Sequence, residues 1–373
     1  MIYITLLISL FYATLILLYR ISWNKISESK EVNNNDTVSV VVACRNEEQN
    51  IKNLIKDIMN QNFDKYRFQM IIVDDHSEDK TLEILYKESE KWNNLHVVCM
   101  HDEIGKKNAI RKGVGIANGD VILCTDADCR IKENWIKTML SNFTNNHIKF
   151  VAGPVNYSSE NNFLNKFQSL ELISLVSSGA AAIQRKKSTI CNGANLAFRK
   201  KEYNEIPMDA FHDFSTDDVS LLHYFKKYYK DGILFSKILD SIVETSSNTD
   251  MISQFQQKLR WISNSKNIRD WQSIYVASVV FLINSLISIL LVLSLWSVFY
   301  DFDEMYISLI NLFIVLFIKY VTDYLFLKQV LDFFRRKNLL IYLLPFEIIN
   351  AIYTVVIVPL SFISSPKWKG RKI

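Results

Sequence analysis

The sequence predicts an α/β domain built on a mostly parallel sheet with helices on both faces, carried by a protein with about four transmembrane helices. Three observations predict it. Residues 38–128 alternate short β-branched strands with helical patterns, residues 1–19 and 274–300 carry no charge, and the stretch from about 36 to 250 has the mixed composition of a water-soluble domain. A chain of 373 residues has room for one such domain plus its membrane segments.

The opening run, residues 1–20, is long enough to cross a hydrocarbon core ~30 Å thick. It lacks a basic leader and a small-residue cleavage site, so it is expected to be an uncleaved anchor. Arg20, Lys25 and Lys30 follow the apolar run, which places the domain in the cytoplasm by the positive-inside tendency. Residues 21–37, rich in Asn, form the linker. The domain itself spans 38–250. Its strands are "VSVVVAC" (38–44), "FQMIIVDD" (68–75), "LHVVCM" (95–100) and "DVILCTDAD" (120–128), with helical patterns at 47–61, 79–92 and 106–118. Short, nearly continuous apolar strands between helices are the mark of a parallel sheet covered on both faces. Residues 251–273 read as an amphipathic interfacial helix carrying Trp261 and Trp271.

Residues 274–363 hold about three further apolar segments: 274–300, 305–327 and 339–363. The last two contain Lys319, Asp323 and Glu347. The acidic loop 300–306 suits the outside and the basic loop 328–338 the inside. The basic tail 364–373 breaks that alternation, so either the last segment re-enters or the charge rule fails there. The net charge of +4 is mild and its basic stretches flank the apolar segments, which points to anionic lipid head groups and away from nucleic acid. The five cysteines match no zinc spacing and read as small buried hydrophobes. The six histidines show no ligand spacing; His212, beside Asp213, is the one near a candidate base.

In parallel sheets, ligands bind beyond the carboxyl ends of the strands. Asp74 and Asp75 end the second strand, and Asp126 and Asp128 the fourth. If the extended geometry persists, the two members of Asp126-x-Asp128 point the same way. Together they suit Mg2+ or Mn2+ with phosphates completing the shell. Asp79 and Glu133 read as helix-start residues. "STDDVSLL" (215–222) taken alone reads as a helix start capped by Ser215 or Thr216.

Six stretches, in order, resemble the family 2 glycosyltransferases, inverting enzymes with the GT-A nucleotide-sugar fold. They are "VSVVVACRNEEQNI" (38–51), "IIVDDHSEDKT" (71–81), "GKKNAIRKGVGIANGD" leading into "TDADC" (105–129), "NGANLAFRK" (192–200), "TDDVSL" (216–221) and "QKLRW" (257–261). The resemblance covers about 36–275, and the layout with its flanking spans is similar to that of ceramide glucosyltransferase-like membrane enzymes. It implies Asp218 as catalytic base, in register with the last acid of the family's Thr-Glu-Asp, with Asp217 standing as a shorter acid in the middle position. It implies a nucleotide-sugar site from Ala43, Arg45, Glu47, Asp74, Asp75, Lys106, Asp126, Gly193 and Asn195. Asp126 and Asp128 would hold the metal, with Asp128 the firmer ligand. Arg260 would meet diphosphate oxygens and Trp261 the acceptor, with Gln257 on the same face. The implied partners are a nucleotide-sugar donor, a lipid or lipid-linked glycan acceptor, and the membrane. A processive polysaccharide synthase of the same family is the alternative. A nucleotidyltransferase would leave Asp218 and the 257–261 segment without a task.

Overall fold

The structure, a computed structural model, describes residues 2–27, 35–143, 145–207, 217–264, 270–300, 302–363, 367–368 and 371–372. The chain forms two compact units. One comprises Ile26–Ser159 and Leu175–Ser247; the other comprises Met1–Lys25, Glu160–Ser174 and Asn248–Ile373. Helix α1 (Ile2–Lys25) opens the chain within the second unit.

The first unit begins with β1 (Val38–Cys44), α2 (Ile51–Met59), β2 (Phe68–Asp74), α3 (Thr81–Ser89), β3 (Leu95–Cys99), α4 (Lys106–Ile116) and β4 (Val121–Cys124). Then come β5 (Arg130–Ile131), α5 (Trp135–Leu140), β6 (Phe150–Ala152) and β7 (Val155–Tyr157). Helix α6 (Phe163–Gln184), which belongs to the second unit as far as Ser174, follows, and then β8 (Leu196–Arg199), α7 (Lys200–Asn204), α8 (Asp217–Tyr228), β9 (Ile233–Phe235) and β10 (Val243–Thr245). The main sheet has seven strands in the order β3-β2-β1-β4-β8-β6-β9. Strands β3, β2, β1 and β4 run parallel, in register from Val38↔Phe68 to Cys44↔Asp74 and from Val38↔Val121 to Val41↔Cys124. Strand β8 runs antiparallel to β4 and β6, so its first residue, Leu196, lies opposite the last of β4, Cys124.

The β-branched residues that predict these strands are the core: Val40, Val41, Val42, Ile72, Val73 and Ile122 are buried. On α2, Ile51, Leu54, Ile55 and Ile58 form a buried stripe at i, i+3, i+4, i+7. Helix α4 lies closer still. A Cβ at Gly113 would stand 2.5 Å from Val41 Cγ1 and 3.2 Å from Val73 Cγ2, so only glycine lets this helix, and Lys106 at its start, sit so near β1 and β2. A second sheet, β5-β10-β7, uses strands of two and three residues that alternation could not reveal.

One expectation fails here. Strand β4 stops at Cys124, and Asp126 to Cys129 form a turn closed by the Cys129 N–H on the Asp126 carbonyl at 3.1 Å. Asp126 and Asp128 are therefore not brought together by strand alternation.

In the second unit, α9 (Met251–Asn264), α10 (Trp271–Ser297), α11 (Phe302–Phe333) and α12 (Leu343–Ile363) follow one another. Among the described residues, four stretches are long and apolar enough to cross a membrane: Ile2–Lys25, Trp271–Ser297, Phe302–Phe333 and Lys337–Ile363. Helix α10 exposes Leu282, Ile289, Val292 and Leu295 while burying Ile283, Ile287 and Leu290; a helix apolar all round belongs in lipid. Trp271 opens α10, behind an Asp270 cap whose carboxylate accepts the Ser273 N–H, and does not close the amphipathic helix, which ends at Asn264.

Three charges well inside the spans, Lys319, Asp323 and Glu347, are gathered into one cluster. Lys319 on α11 pairs with Asp323 at 2.8 Å and with Glu347 of α12, while Tyr12 of α1 donates to both Asp323 oxygens at 2.8 Å.

Candidate active site

The main sheet changes direction between β1 and β4: the chain continues from β1 to β2 on one side, while β4 lies on the other. Loops leaving adjacent parallel strands at such a point diverge and open a crevice. The loop after β1 carries Arg45 to Glu47, and the loop after β4 carries Asp126 and Asp128. Ala43 is the one residue of β1 that is not fully buried.

The first rim is stiff. Arg45, only 4% exposed, donates to the carbonyls of Asp75, at 2.9 Å, and His76, and pairs with Glu78 at 2.7 Å. Asn46 and His76 both take positive φ, 51° and 56°. The Asn46 N–H meets Ser77 Oγ at 3.0 Å and its side-chain oxygen accepts the Glu78 N–H at 2.8 Å. The Glu47 N–H reaches Thr81 Oγ1 at 2.7 Å, and Asp79 accepts both the Thr81 N–H at 2.9 Å and the Glu48 N–H at 3.2 Å. Burial alone would push Asp79 upward, yet these bonds hold its carboxyl below the usual range, in keeping with its expected helix-start role.

Asp74 and Asp75 are placed differently from the expected nucleotide contacts. Both are buried. Asp74 accepts Ser77 Oγ at 2.5 Å and the Ser77 N–H at 3.1 Å. Asp75 accepts the Gly105 N–H at 2.9 Å and faces His76 Nδ1 at 3.1 Å. The end of an interior strand is dry, so Asp74 closes the loop after β2 on itself and Asp75 ties that loop to the start of α4. Asn195 is likewise enclosed. Its amide nitrogen donates to the carbonyls of Pro154 and Ser241 at 2.8 and 2.7 Å, and its oxygen accepts Trp135 Nε1 at 3.0 Å. It joins the two sheets and presents no atom to a ligand.

The remaining candidates converge. Lys106 Nζ pairs with Asp126 Oδ1 at 2.5 Å, each side chain 32% exposed. Asp218, at the start of α8, accepts the Gly193 N–H at 2.8 Å on one oxygen and the Val219 N–H at 2.8 Å on the other. A Cβ at Gly193 would stand 3.2 Å from Asp218 Oδ2 and 3.4 Å from Lys106 Nζ. Gly193 is thus the crossing point where Asp218 meets the Lys106–Asp126 pair, and a side chain there would press on Asp218 and touch Lys106. Asp217 opens the same helix, but its side chain, and His212, Asp213, Ser215 and Thr216, lie outside the described residues.

Asp128 is anchored by Thr245 Oγ1 at 3.0 Å, from the central strand of the second sheet. Its turn is held from behind by Arg130, bidentate on Asp57 at 2.6 and 3.0 Å. Burial pushes the Asp128 carboxyl above the ordinary range, and the charges of Asp126 and Glu47 push the same way. Thr245 was not visible as a site residue, because nothing in the three-residue strand marks it. The thiols of Cys129 and Cys191 are pushed well up, first by burial and then by Asp128 and Asp218 respectively, so both are inert, as their composition predicts. All five cysteines are free.

Gln257, Arg260 and Trp261 belong to the other unit. Their i, i+3, i+4 spacing puts them on one face of α9. Gln257 Oε1 accepts Asn248 Nδ2 at 2.9 Å, and Lys258 Nζ stands 4.3 Å from the Trp261 ring centre.

A parallel sheet continued by an antiparallel strand, with acids crowded at its switch point, is the arrangement expected of the GT-A fold. The mannosyltransferase PcManGT from Pyrobaculum calidifontis, solved in complex with GDP-Man and Mn2+, shares the fold over 95% of this chain and 98% of its own, with a TM-score of 0.59 and 15% identity. The profile of glycosyl transferase family 2 matches residues 39–206. The poly-beta-1,6-N-acetyl-D-glucosamine synthase of Staphylococcus aureus is 29% identical over 140 residues, 37% of this chain and 33% of that one. Glycosyltransferase AglE of Haloferax volcanii is 26% identical over 124 residues, 33% of this chain and 41% of that one. The match therefore spans about a third of the synthase and two-fifths of AglE. Residues 39–206, a little under half of the chain, thus carry the pattern of glycosyl transferase family 2.

Proposed function

We propose that the protein is a membrane-bound, inverting glycosyltransferase that moves a sugar from a nucleotide-sugar donor to a hydroxyl of a lipid or lipid-linked glycan at the cytoplasmic face. One observation carries this reading: a carboxylate, Asp218, meets a lysine–aspartate pair, Lys106–Asp126, across a glycine that leaves room between them.

Asp218 acts as the base. Its two oxygens are aimed by the N–H groups of Gly193 and Val219, and each keeps a lone pair for a further proton. The acceptor O–H gives its proton to Asp218 while its oxygen bonds the anomeric carbon. The bond from that carbon to the diphosphate oxygen breaks, and the nucleoside diphosphate leaves with the electron pair. One displacement inverts the centre, giving a β-linkage from an α-linked donor. Lys106 offers its charge to the departing diphosphate. It does so from the first turn of α4, where free N–H groups and the helix dipole also favour phosphate.

A divalent cation, Mg2+ or Mn2+, fits Asp126 and Asp128, whose mutual repulsion with Glu47 a cation would relieve. Among the described residues no three acids, histidines or cysteines cluster to hold a metal by themselves, so donor oxygens would complete its shell. Bound there, the cation would neutralise charge building on the leaving group. Ala43 to Glu47 line the nucleotide side, with Asp74, Asp75 and Arg45 stiffening that rim. A lipid-borne acceptor suits an enzyme with four apolar helices, because both then diffuse in the same plane.

The Staphylococcus aureus relative supports a second reading, a processive polysaccharide synthase. A polymer released by the purified enzyme would favour it; a single sugar added to a lipid extract favours the first. The base assignment is tested by Asp218→Asn. Transfer should fall about 10²–10⁴-fold with nucleotide affinity unchanged. Undiminished transfer removes Asp218 from the mechanism.

A further inference from the structure

Asn195 stands among the candidate donor contacts, yet the sheet unit encloses it completely. It closes a turn that stands behind two acids of the site. The Asn195 N–H donates to the Asn192 carbonyl at 3.1 Å, and the Ala194 N–H to the Asn192 side-chain oxygen at 3.0 Å. From the same turn the Gly193 N–H holds Asp218.

The Asn195 side chain holds the second sheet. Its two amide N–H groups go to the carbonyls of Pro154 and Ser241, and its oxygen takes the Trp135 indole N–H. Pro154 directly precedes β7, and Ser241 stands two residues before β10. The Val243 N–H shares the Pro154 carbonyl at 3.0 Å, so one amide aligns the start of both strands. From there the register runs Val243↔Val155, Glu244↔Asn156 and Thr245↔Tyr157, with Glu244 also opposite Arg130 of β5. Thr245 therefore falls beside the turn that leads into β5, and its hydroxyl reaches Asp128. The amide itself is clamped. A Cβ at Gly153 would stand 2.3 Å from its carbon and nitrogen, and the Gly153 N–H holds the Asn195 carbonyl at 2.8 Å. Buried polar contacts set geometry sharply, because every misalignment leaves a donor or acceptor unmade.

We infer that Asn195 is a positioning residue that sets the spacing between the base and the cation site, holding Asp218 through Gly193 and Asp128 through Thr245. This deepens the proposed function and rests on Asp218 as base and Asp128 as metal ligand. Asn195 touches neither donor nor acceptor. It acts on rate because a misplacement of about 1 Å between reacting groups can cost about 10²-fold.

The test uses the full chain in detergent. Calorimetry reads Mn2+ affinity in the presence of UDP and, separately, GDP. Diphosphate release from a UDP- or GDP-sugar, with a membrane lipid extract as acceptor, reads kcat at saturating Mn2+ and donor. Thr245→Val cuts only the link to Asp128, so Mn2+ affinity should fall about fivefold, the worth of one hydrogen bond, with kcat unchanged. Thr245→Ser should restore the affinity. Asn195→Ala should lower Mn2+ affinity by a similar factor and, through Asp218, kcat about tenfold. Adding Thr245→Val to Asn195→Ala should then weaken Mn2+ little further, since residues acting through one another are not additive. Leu85→Ala, a loss of buried packing on α3, should lower the unfolding midpoint and leave both constants per folded molecule as in the parent. Parent-like Mn2+ affinity in Thr245→Val, no restoration by Thr245→Ser, additive losses in the double variant, or unchanged kcat in Asn195→Ala overturns the inference. So does an equal fall of both constants in Leu85→Ala. If Asn195→Ala does not fold, Trp135→Phe stands in: it frees the amide oxygen, and both constants should fall about threefold. Unchanged constants there overturn the inference. Asp128→Asn separates the two claims: undiminished Mn2+ binding sinks the reading of the cation site, whereas lost binding with a parent-like Thr245→Val sinks only this inference.

Discussion

Each unit gathers acids around a single lysine, and the two clusters are built in opposite ways. In the sheet unit, Lys106 and Asp126 are each about one-third exposed, and Asp128 receives one hydroxyl, from Thr245, against the repulsion of Asp126 and Glu47. In the membrane unit, the Lys319, Asp323 and Glu347 side chains are 4%, 10% and 1% exposed. There Asp323 takes both a lysine and a tyrosine hydroxyl, and Lys319 also lies 5.1 Å from the Tyr12 ring centre. Acids left under-compensated at an open rim await a cation or a phosphate-bearing ligand. Acids enclosed among apolar helices are held by a shared lysine and a tyrosine, because lipid offers them nothing else. The first arrangement is a site and the second is a joint between spans.

The contrast is sharpest where the joint is broken. Lys319→Met leaves two carboxyls facing each other without a cation, and should lower stability by about 3–5 kcal/mol, the loss typical when a buried pair loses a partner. Thermal unfolding in detergent reads this, and the transfer rate per folded molecule should stay unchanged. At the rim the signs reverse. Asp128→Asn should abolish cation-dependent nucleotide binding, measured by calorimetry, yet raise the unfolding midpoint of the metal-free protein by removing a like charge. A lowered midpoint would erase the distinction between the clusters.

The pH dependence of the rim follows from the same crowding. A carboxyl held above its unfolded value contributes stability that is complete below that value and lost as pH rises through the folded one. The metal-free protein should therefore lose midpoint as pH climbs out of the ordinary carboxylate range. Saturating Mg2+ or Asp128→Asn should flatten that slope. The smallest effect expected is that of Thr245→Val. It removes one hydrogen bond from Asp128, should lower stability by about 1 kcal/mol, and should steepen the same slope.

Much of this architecture is written locally. Strand β1 coincides with "VSVVVAC", and β2 and β3 end within a residue of their apolar runs, because a buried parallel strand must be β-branched throughout. The charge-free runs mark two of the spans for the same reason. Other features have no local signature. The turn at Asp126–Asp128 looks like strand because its neighbours are apolar. Asp75 and Asn195 look like ligands because their bonds to Gly105 and Trp135 are made only when separate segments close on one another.

By itself the sequence determined the four parallel strands, the spans, and which residue types stand at those strand ends, since periodicity and length act through bonded neighbours and the thickness of a bilayer. The tertiary structure alone decided which of those acids face outward. It brought Thr245 to Asp128 across 117 residues, Gly193 to Asp218 across 25, and Lys319 to Glu347 across 28. Contacts at such separations exist only once the sheet and the helices have packed, for no local pattern encodes the partner that a buried charge will find.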